Sequence, residues 1–114
     1  EVKLFSGLSV RENLEVIDAD TKKIDFLLQE LGLIKLADHK AQTLSGGEAQ
    51  RLGFIRAIIK KADLIFLDEP FGQVDLDLRK KMYEILDFYL EKKSLVFIST
   101  HLSEDLAIDQ KIEL

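Results

Sequence analysis

Apolar residues recur at helical spacing over the first half of the chain, and a helix start signal precedes each group. Ser9 and Glu12 form the Ser-x-x-Glu pattern of a capping box, in which each side chain bonds the backbone amide of the other residue. This pattern predicts a short first helix from Val10 to about Val16.

Two further helices follow from the same kind of signal. Thr21 is a candidate cap for a second helix that Gly32 stops, and its apolar face comprises Ile24, Leu27, Leu28 and Leu31. Ser45 and Glu48 repeat the capping pattern, so a third helix is predicted to start beside a glycine pair. Its apolar face comprises Leu52, Ile55, Ile58 and Ile59.

The second half of the chain changes to short continuous apolar runs, at residues 64–67 and 94–99. Such runs are typical of strands buried on both faces of a parallel sheet. The intervening residues 76–90 predict an amphipathic helix, and Asp75 is its candidate cap. The apolar face of this helix comprises Leu78, Met82, Ile85, Leu86 and Tyr89.

Strand, helix and strand in this order form a crossover unit, which brings the two strands parallel. The carboxyl ends of both strands should then open onto the same edge of the sheet. Asp68 and Glu69 follow the first strand, and Thr100 and His101 follow the second. We therefore expect two carboxylates and an imidazole to face one crevice.

Composition limits the classes of protein that fit. With 114 residues, of which 46% are hydrophobic and 32% charged, the chain can form one ordinary globular domain or part of one. A net charge of −5 and scattered lysines argue against nucleic-acid binding. The absence of cysteine excludes disulfides and thiolate metal sites. Since no apolar run is long enough to span a membrane, a membrane role would need a partner.

Both ends of the sequence are typical of the interior of a protein chain. The chain begins at Glu1 without a methionine and ends at Leu114 inside a strand-like segment, so we interpret it as an internal piece of a longer polypeptide.

Ser45-Gly46-Gly47 at the start of the third helix is a candidate anion site. Glycines let a ligand approach the backbone closely, and the amides of the first helical turn have no partner within the helix. The helix dipole and the serine hydroxyl would both favour a phosphate. The alternative, for these three residues alone, is an ordinary capped helix.

Carboxylates at the end of the first strand are candidates for metal and proton chemistry. Asp68 would organise Mg²⁺, and Glu69 would act as a general base or orient the attacking water. His101 would contact a γ-phosphate or support that water. Without the glycine motif upstream, a buried strand that ends in a polar turn would be an equally good interpretation.

Together these strings resemble the ATP-binding cassette (ABC) ATPases, the nucleotide-binding subunits of ABC transporters. Leu44–Arg51 is similar to the family's LSGGQ signature, with Glu48 where many members have glutamine. Residues 64–70 resemble the Walker B motif, and 71–75 occupy the place of the D-loop. Thr100-His101 is similar to the switch histidine, and residues 4–13 resemble the segment just after the Q-loop.

The resemblance implies an α/β fold of the P-loop NTPase (ABC ATPase) type, present in part. It implies a helical subdomain portion over residues 1–61, with the signature motif, and the C-terminal part of the ATPase core over 62–114. Gly72 and Gln73 depart from the common Ser-Ala of the D-loop, which puts a serine contact across the dimer in doubt. The chain contains no G-x-x-x-x-G-K-[ST], so these residues alone are expected to be inactive.

The resemblance also implies roles for particular residues. Two cassettes pack head to tail, and the signature of one covers the ATP of the other. Asp68 would be the magnesium-associated acid, and Glu69 and His101 the catalytic residues for ATP on the same subunit. The residues implied to bind nucleotide are Ser45, Gly46, Gly47, Glu48 and Asp75.

The implied function is ATP binding and hydrolysis that powers transport through membrane-spanning partner subunits. Such a subunit would lie peripherally on the inner face of the cell membrane. Two alternatives remain open: a ribosome- or DNA-associated ABC ATPase, and a non-enzymatic interaction module derived from a cassette. A DNA-maintenance role is disfavoured because residues 10–42 leave no room for a long coiled-coil insertion.

Overall fold

The computed structural model describes residues 4–60, 64–68, 71–72, 74–90 and 95–99. The chain divides into two compact units, Glu1–Lys60 and Lys61–Leu114. The assignment of these parts to a helical subdomain and an ATPase core of a larger cassette stays a prediction.

The first unit is helical. Its elements are α1 (Val10–Glu15), α2 (Thr21–Glu30), two short 3₁₀ helices (Ile34–Leu36 and Ala41–Thr43) and α3 (Gly46–Ile59). Helix α1 contacts both α2 and α3. The core residues of this unit include Val10, Leu14, Ile24, Leu27, Leu28, Leu31, Leu33, Leu52, Phe54, Ile55, Ile58 and Ile59.

Helix α1 has the predicted capping box. The Ser9 hydroxyl accepts a bond from the Glu12 amide at 3.0 Å, and Glu12 Oε1 accepts one from the Ser9 amide at 2.8 Å. The bond from the Ser9 backbone stabilises the ionised carboxylate and lowers the pKa of Glu12. The sequence signal therefore identified both partners of this cap correctly.

The predicted cap of α2 was wrong by one residue. Asp20, in extended conformation, accepts a bond from the Lys23 amide at 3.1 Å through Oδ1, whereas Thr21 is already the first helical residue. Both residue types favour caps, and only the backbone conformation selects between them. Asp18 adds to this turn, since its carboxylate accepts from the Asp20 amide at 2.9 Å and from Lys23 Nζ at 2.7 Å.

The carboxyl end of α2 stops at the predicted glycine. Gly32 adopts φ +71°, and its amide bonds the carbonyl of Gln29 at 3.2 Å. The amide of Leu33 bonds the carbonyl of Leu28 at 2.7 Å. These two bonds are those of a Schellman motif, which satisfies carbonyls that have no partner within the helix.

The second unit contains β1 (Leu64–Asp68), α4 (Leu76–Leu90) and β2 (Leu95–Ser99). The two strands pair in parallel, as the crossover argument predicted, with Leu64 opposite Leu95 and Asp68 opposite Ser99. Both strands therefore end at the same edge.

Helix α4 has the predicted bounds and cap. Asp75 Oδ1 accepts from the Leu78 amide at 2.8 Å. Met82, Ile85 and Leu86 are buried, as the apolar spacing indicated, and the Tyr83 ring meets Phe71 edge-on with centroids 4.7 Å apart. Within the described residues, no helix is both long and apolar enough to cross a bilayer.

Candidate functional site

The amino-terminal end of α3 carries the signature residues in a second complete capping box. The Ser45 hydroxyl accepts from the Glu48 amide at 3.2 Å, and Glu48 Oε1 accepts from the Ser45 amide at 2.9 Å. The bond from the Ala49 amide to the Ser45 carbonyl, at 2.9 Å, closes the first helical turn. The amides of Gly46 and Gly47 lie ahead of that bond and have no carbonyl to reach within the helix.

This helix end has the chemistry of a phosphate-binding surface. Ser45 and Gly46 are exposed, so a ligand can reach both the hydroxyl and the first-turn amides. Although the hydroxyl oxygen already accepts one bond, its proton can still be donated to an anion. The helix dipole adds positive potential at the same place. These donors fit the oxygen atoms of a nucleotide phosphate.

Glu48 places a carboxylate at the same helix end. Its Oε1 is bound to the Ser45 amide, and so the capping box fixes the side chain beside the signature serine. A glutamine at this position could accept the same bond without a negative charge. The departure from LSGGQ therefore preserves the local geometry and changes only the electrostatics of the site.

The chain leading into Ser45, residues 37–44, is held by main-chain bonds to residues 6–11. Amides in each stretch bond carbonyls in the other: Val10 to His39 at 2.9 Å, Arg11 to Ala37 at 2.9 Å, Ala41 to Leu8 at 2.9 Å and Gln42 to Ser6 at 3.3 Å. Ser9 and Lys40 form an antiparallel β-bridge, and Lys40 Nζ bonds the Gly7 carbonyl at 2.8 Å. The backbone ahead of the signature serine therefore has fixed partners.

Two arginines of α3 are partly buried. The Nε atoms of Arg51 and Arg56 are buried and have no hydrogen-bond partner within the part of the chain that the structure describes. The Arg56 guanidinium lies 5.3 Å from the centroid of the Phe5 ring, a cation–π contact. Helices α1 and α2 are joined by the ion pair of Arg11 with Asp25, and the hydrogen bond from Arg11 to Asp25 raises the pKa of Arg11.

The predicted acidic and imidazole residues belong by number to the second unit, Lys61–Leu114. Asp68 is the last residue of β1, opposite Ser99, and the Asp75 carboxylate caps α4. Glu69 and His101 lie outside the described residues, and their predicted positions stay predictions. Among the described side chains, no group of three or more acidic or histidine residues could hold a metal ion.

The signature string, the helix that starts beside it and the strand that ends at Asp68 all point to a nucleotide-binding cassette, and the comparison with known families agrees. Residues 1–72 match the model of the family described as ABC transporter. The chain belongs to this family. A curated ABC relative is the aliphatic sulfonates import ATP-binding protein SsuB of Mycobacterium sp. (strain MCS), which is 45% identical over 75 residues. The match covers 65% of this chain and 31% of SsuB.

Solved ABC structures have the same fold. The ATP-binding cassette MJ0796, in a dimeric post-hydrolysis state bound to ADP and Pi, gives a TM-score of 0.73 at 25% identity and covers 91% of this chain and 50% of that one. A chain in the complex of archaeal ribosomal stalk protein aP1 and archaeal ribosome recycling factor aABCE1 gives a TM-score of 0.73 at 31% identity. The match covers 86% of this chain and 20% of that chain. The fold is that of the ABC ATPases among the P-loop NTPases, present in part.

Sequence reasoning identified the signature helix but missed Asn13, which holds the loop that bonds the chain ahead of this helix. Asn13 is fully buried, and its side chain bonds the backbone of residues 5 and 9. A signal was available: Asn13 lies three residues after Val10 and directly before Leu14, at a position where the helical spacing calls for an apolar residue. A polar residue at a core position of a helix needs hydrogen-bond partners, and here they are main-chain groups.

Proposed function

We propose that this chain is part of an ATP-hydrolysing subunit that powers an ABC transporter. The observation that carries the proposal is the amino-terminal end of α3, where the exposed Ser45 and Gly46 offer a phosphate a hydroxyl and first-turn amides that have no partner within the helix. Membership of the ABC transporter family and the similarity to an import ATP-binding protein support the coupling to transport.

The nucleotide would be shared between two cassettes packed head to tail. Ser45, Gly46 and Gly47 would contact the γ-phosphate of ATP held by the second subunit, where donors aimed at developing negative charge stabilise the transition state. The dimeric state of the related cassette MJ0796 supports this arrangement. Glu48 would hold Ser45 in place through the capping box, and Asp75 would lie in the D-loop at the dimer contact.

The second unit would serve the ATP of its own subunit. Asp68 would hold Mg²⁺, since a carboxylate oxygen is a ligand that this ion prefers, and bound Mg²⁺ would neutralise charge on the phosphates. Glu69 would accept the proton of the attacking water, and His101 would contact the γ-phosphate. The phosphate-cradling lysine that such a site needs is not among these 114 residues, so we expect this polypeptide alone not to hydrolyse ATP.

The partners would be membrane-spanning transporter subunits, which would place the protein at the inner face of the cell membrane. A net charge of −5 supports a protein partner rather than nucleic acid. The similarity to the archaeal ribosome recycling factor favours, as a second candidate, a ribosome-associated ABC ATPase. The two candidate functions differ in what should stimulate ATP turnover. Reconstituted membrane subunits should stimulate a transporter ATPase, and ribosomes should stimulate a ribosome-associated ATPase.

The catalytic assignment is tested in the complete protein by the substitution Glu69→Gln. Turnover should fall by about 100-fold or more, because a missing general base costs roughly 10²–10⁴-fold in rate. ATP-dependent dimerisation, measured by light scattering, should persist. The matched control is Glu84→Gln on the exposed surface of α4, which should keep wild-type turnover. ATPase activity that survives Glu69→Gln would remove Glu69 from the catalytic role.

A further inference from the structure

Asn13 ties a loop to helix α1 with every polar atom of its side chain. Its Oδ1 accepts from the Phe5 amide at 2.8 Å, while Nδ2 donates to the Phe5 carbonyl at 3.0 Å and to the Ser9 carbonyl at 2.9 Å. The side chain is fully buried, so water cannot readily replace these bonds. The amide thus pairs with both backbone groups of Phe5, as a neighbouring strand would.

Asn13 holds the loop of residues 4–9, and this loop forms hydrogen bonds with the chain just ahead of the signature. The Ser6 and Leu8 carbonyls accept from the Gln42 and Ala41 amides, at 3.3 and 2.9 Å. From Ala41 the chain needs only a short 3₁₀ helix, Ala41–Thr43, to reach Leu44 and Ser45. A displacement of the loop would therefore move the backbone that delivers the signature serine.

A second link joins the same loop to the body of α3. Asn13 fixes the Phe5 backbone, and the Phe5 ring lies against the Arg56 guanidinium. The Arg56 Nε is buried and has no hydrogen-bond partner among the described residues, and the guanidinium lies over the aromatic face of Phe5. The loop thus contacts α3 near its carboxyl end and the chain just ahead of its amino end.

We propose that Asn13 is a positioning residue for the signature motif, which sets the place of Ser45 by anchoring residues 4–9 against residues 37–44. Its effect on ATP turnover rests on the proposed function, whereas its effect on the backbone ahead of Ser45 does not.

The test uses Asn13→Ala in the complete protein and measures amide hydrogen exchange. Loss of the anchor should accelerate exchange at Ala41 and Gln42 about tenfold, the effect of roughly one lost hydrogen bond, while the amides of α2 keep wild-type rates. In the same protein, kcat for ATP should fall about tenfold and the Kd for ATP should stay unchanged, because the positioned serine acts on nucleotide held elsewhere.

The control is Gln29→Ala, which removes a side-chain amide from the exposed face of α2. It should change neither exchange at Ala41 and Gln42 nor kcat. If Asn13→Ala does not fold, Asn13→Leu replaces it, because leucine fills the buried volume, leaves no cavity and removes the same side-chain hydrogen bonds.

Wild-type exchange at Ala41 and Gln42 in a folded Asn13 variant would overturn the proposal. So would acceleration spread evenly over α2 and α3, since that pattern indicates a general loss of stability. An unchanged kcat in an active enzyme would overturn it as well. If the wild-type protein has no ATPase activity, the proposed function fails, and the exchange pattern alone decides the role of Asn13.

Discussion

At the residue scale, Ser45 has two separable roles. Its hydroxyl caps α3, a role that any helix can give to a serine, and it is proposed to bind a phosphate of the partner's ATP. Asp20 caps α2 in the same way but has no proposed contact with nucleotide. A comparison of the two caps therefore separates helix stability from ligand binding.

We predict that Ser45→Ala and Asp20→Ala each destabilise the complete protein by about 1 kcal/mol, the usual cost of a lost cap. Only Ser45→Ala should also lower ATP turnover, by about 10- to 100-fold, because a hydrogen bond to a charged group contributes roughly 1.5–3 kcal/mol. Denaturant unfolding and steady-state ATPase assays measure the two effects. If the two variants hydrolysed ATP at the same rate, the only role of Ser45 would be to cap α3.

At the scale of elements, the end of α2 depends on one backbone conformation. Gly32 has φ +71°, and a Cβ added to it would meet nothing within 4 Å. A side chain there would thus cause strain in the backbone without any clash. Gly7 has equally open surroundings and no positive φ, which makes it a matched control in the same unit.

Gly32→Ala should destabilise the complete protein by about 1–2 kcal/mol, the cost of the left-handed conformation for a residue with a Cβ. Gly7→Ala should be neutral or stabilise by up to about 1 kcal/mol, because it restricts only the unfolded chain. Thermal unfolding of the two variants measures the difference. If both had the same stability, the Schellman motif would not be what ends α2.

At the scale of the whole molecule, each ATP site is proposed to combine Ser45 of one subunit with Glu69 of the other. Ser45→Arg should block the signature contact with ATP, and Glu69→Gln should remove the general base. A homodimer of either variant carries the defect in both sites and should therefore be inactive. A mixed dimer keeps one complete site, because the intact serine and the intact glutamate then meet across the interface. This complementation is specific to a head-to-tail arrangement.

An equimolar mixture of the Ser45→Arg and Glu69→Gln proteins should regain up to about a quarter of wild-type ATPase activity. Random pairing makes about half of the dimers mixed, and each mixed dimer keeps one of its two sites. Each protein assayed separately is the control. A mixture that stays as inactive as its components would mean that both groups serve a site within one chain.

Local signals in the sequence determined most of the secondary structure. The Ser-x-x-Glu boxes at Ser9 and Ser45 correctly predicted the starts of α1 and α3, because a capping box involves only residues within one helical turn. The bounds of α4 and the parallel pairing of β1 with β2 also followed, from apolar spacing and from the handedness of crossovers. The motif strings likewise identified the ABC family, and the match of residues 1–72 to the family model confirms this identification.

Only the tertiary structure decided how the signature helix is held. Nothing in the sequence pairs residues 6–11 with residues 37–42, because the two stretches meet through main-chain groups that every residue possesses. The choice of Asp20 over Thr21 as a cap depended on backbone conformation, and the role of Asn13 on partners at Phe5 and Ser9. The sequence by itself thus determined the family and, within the described residues, the four α-helices and the two strands. The tertiary structure decided which main-chain groups hold the chain ahead of the signature helix.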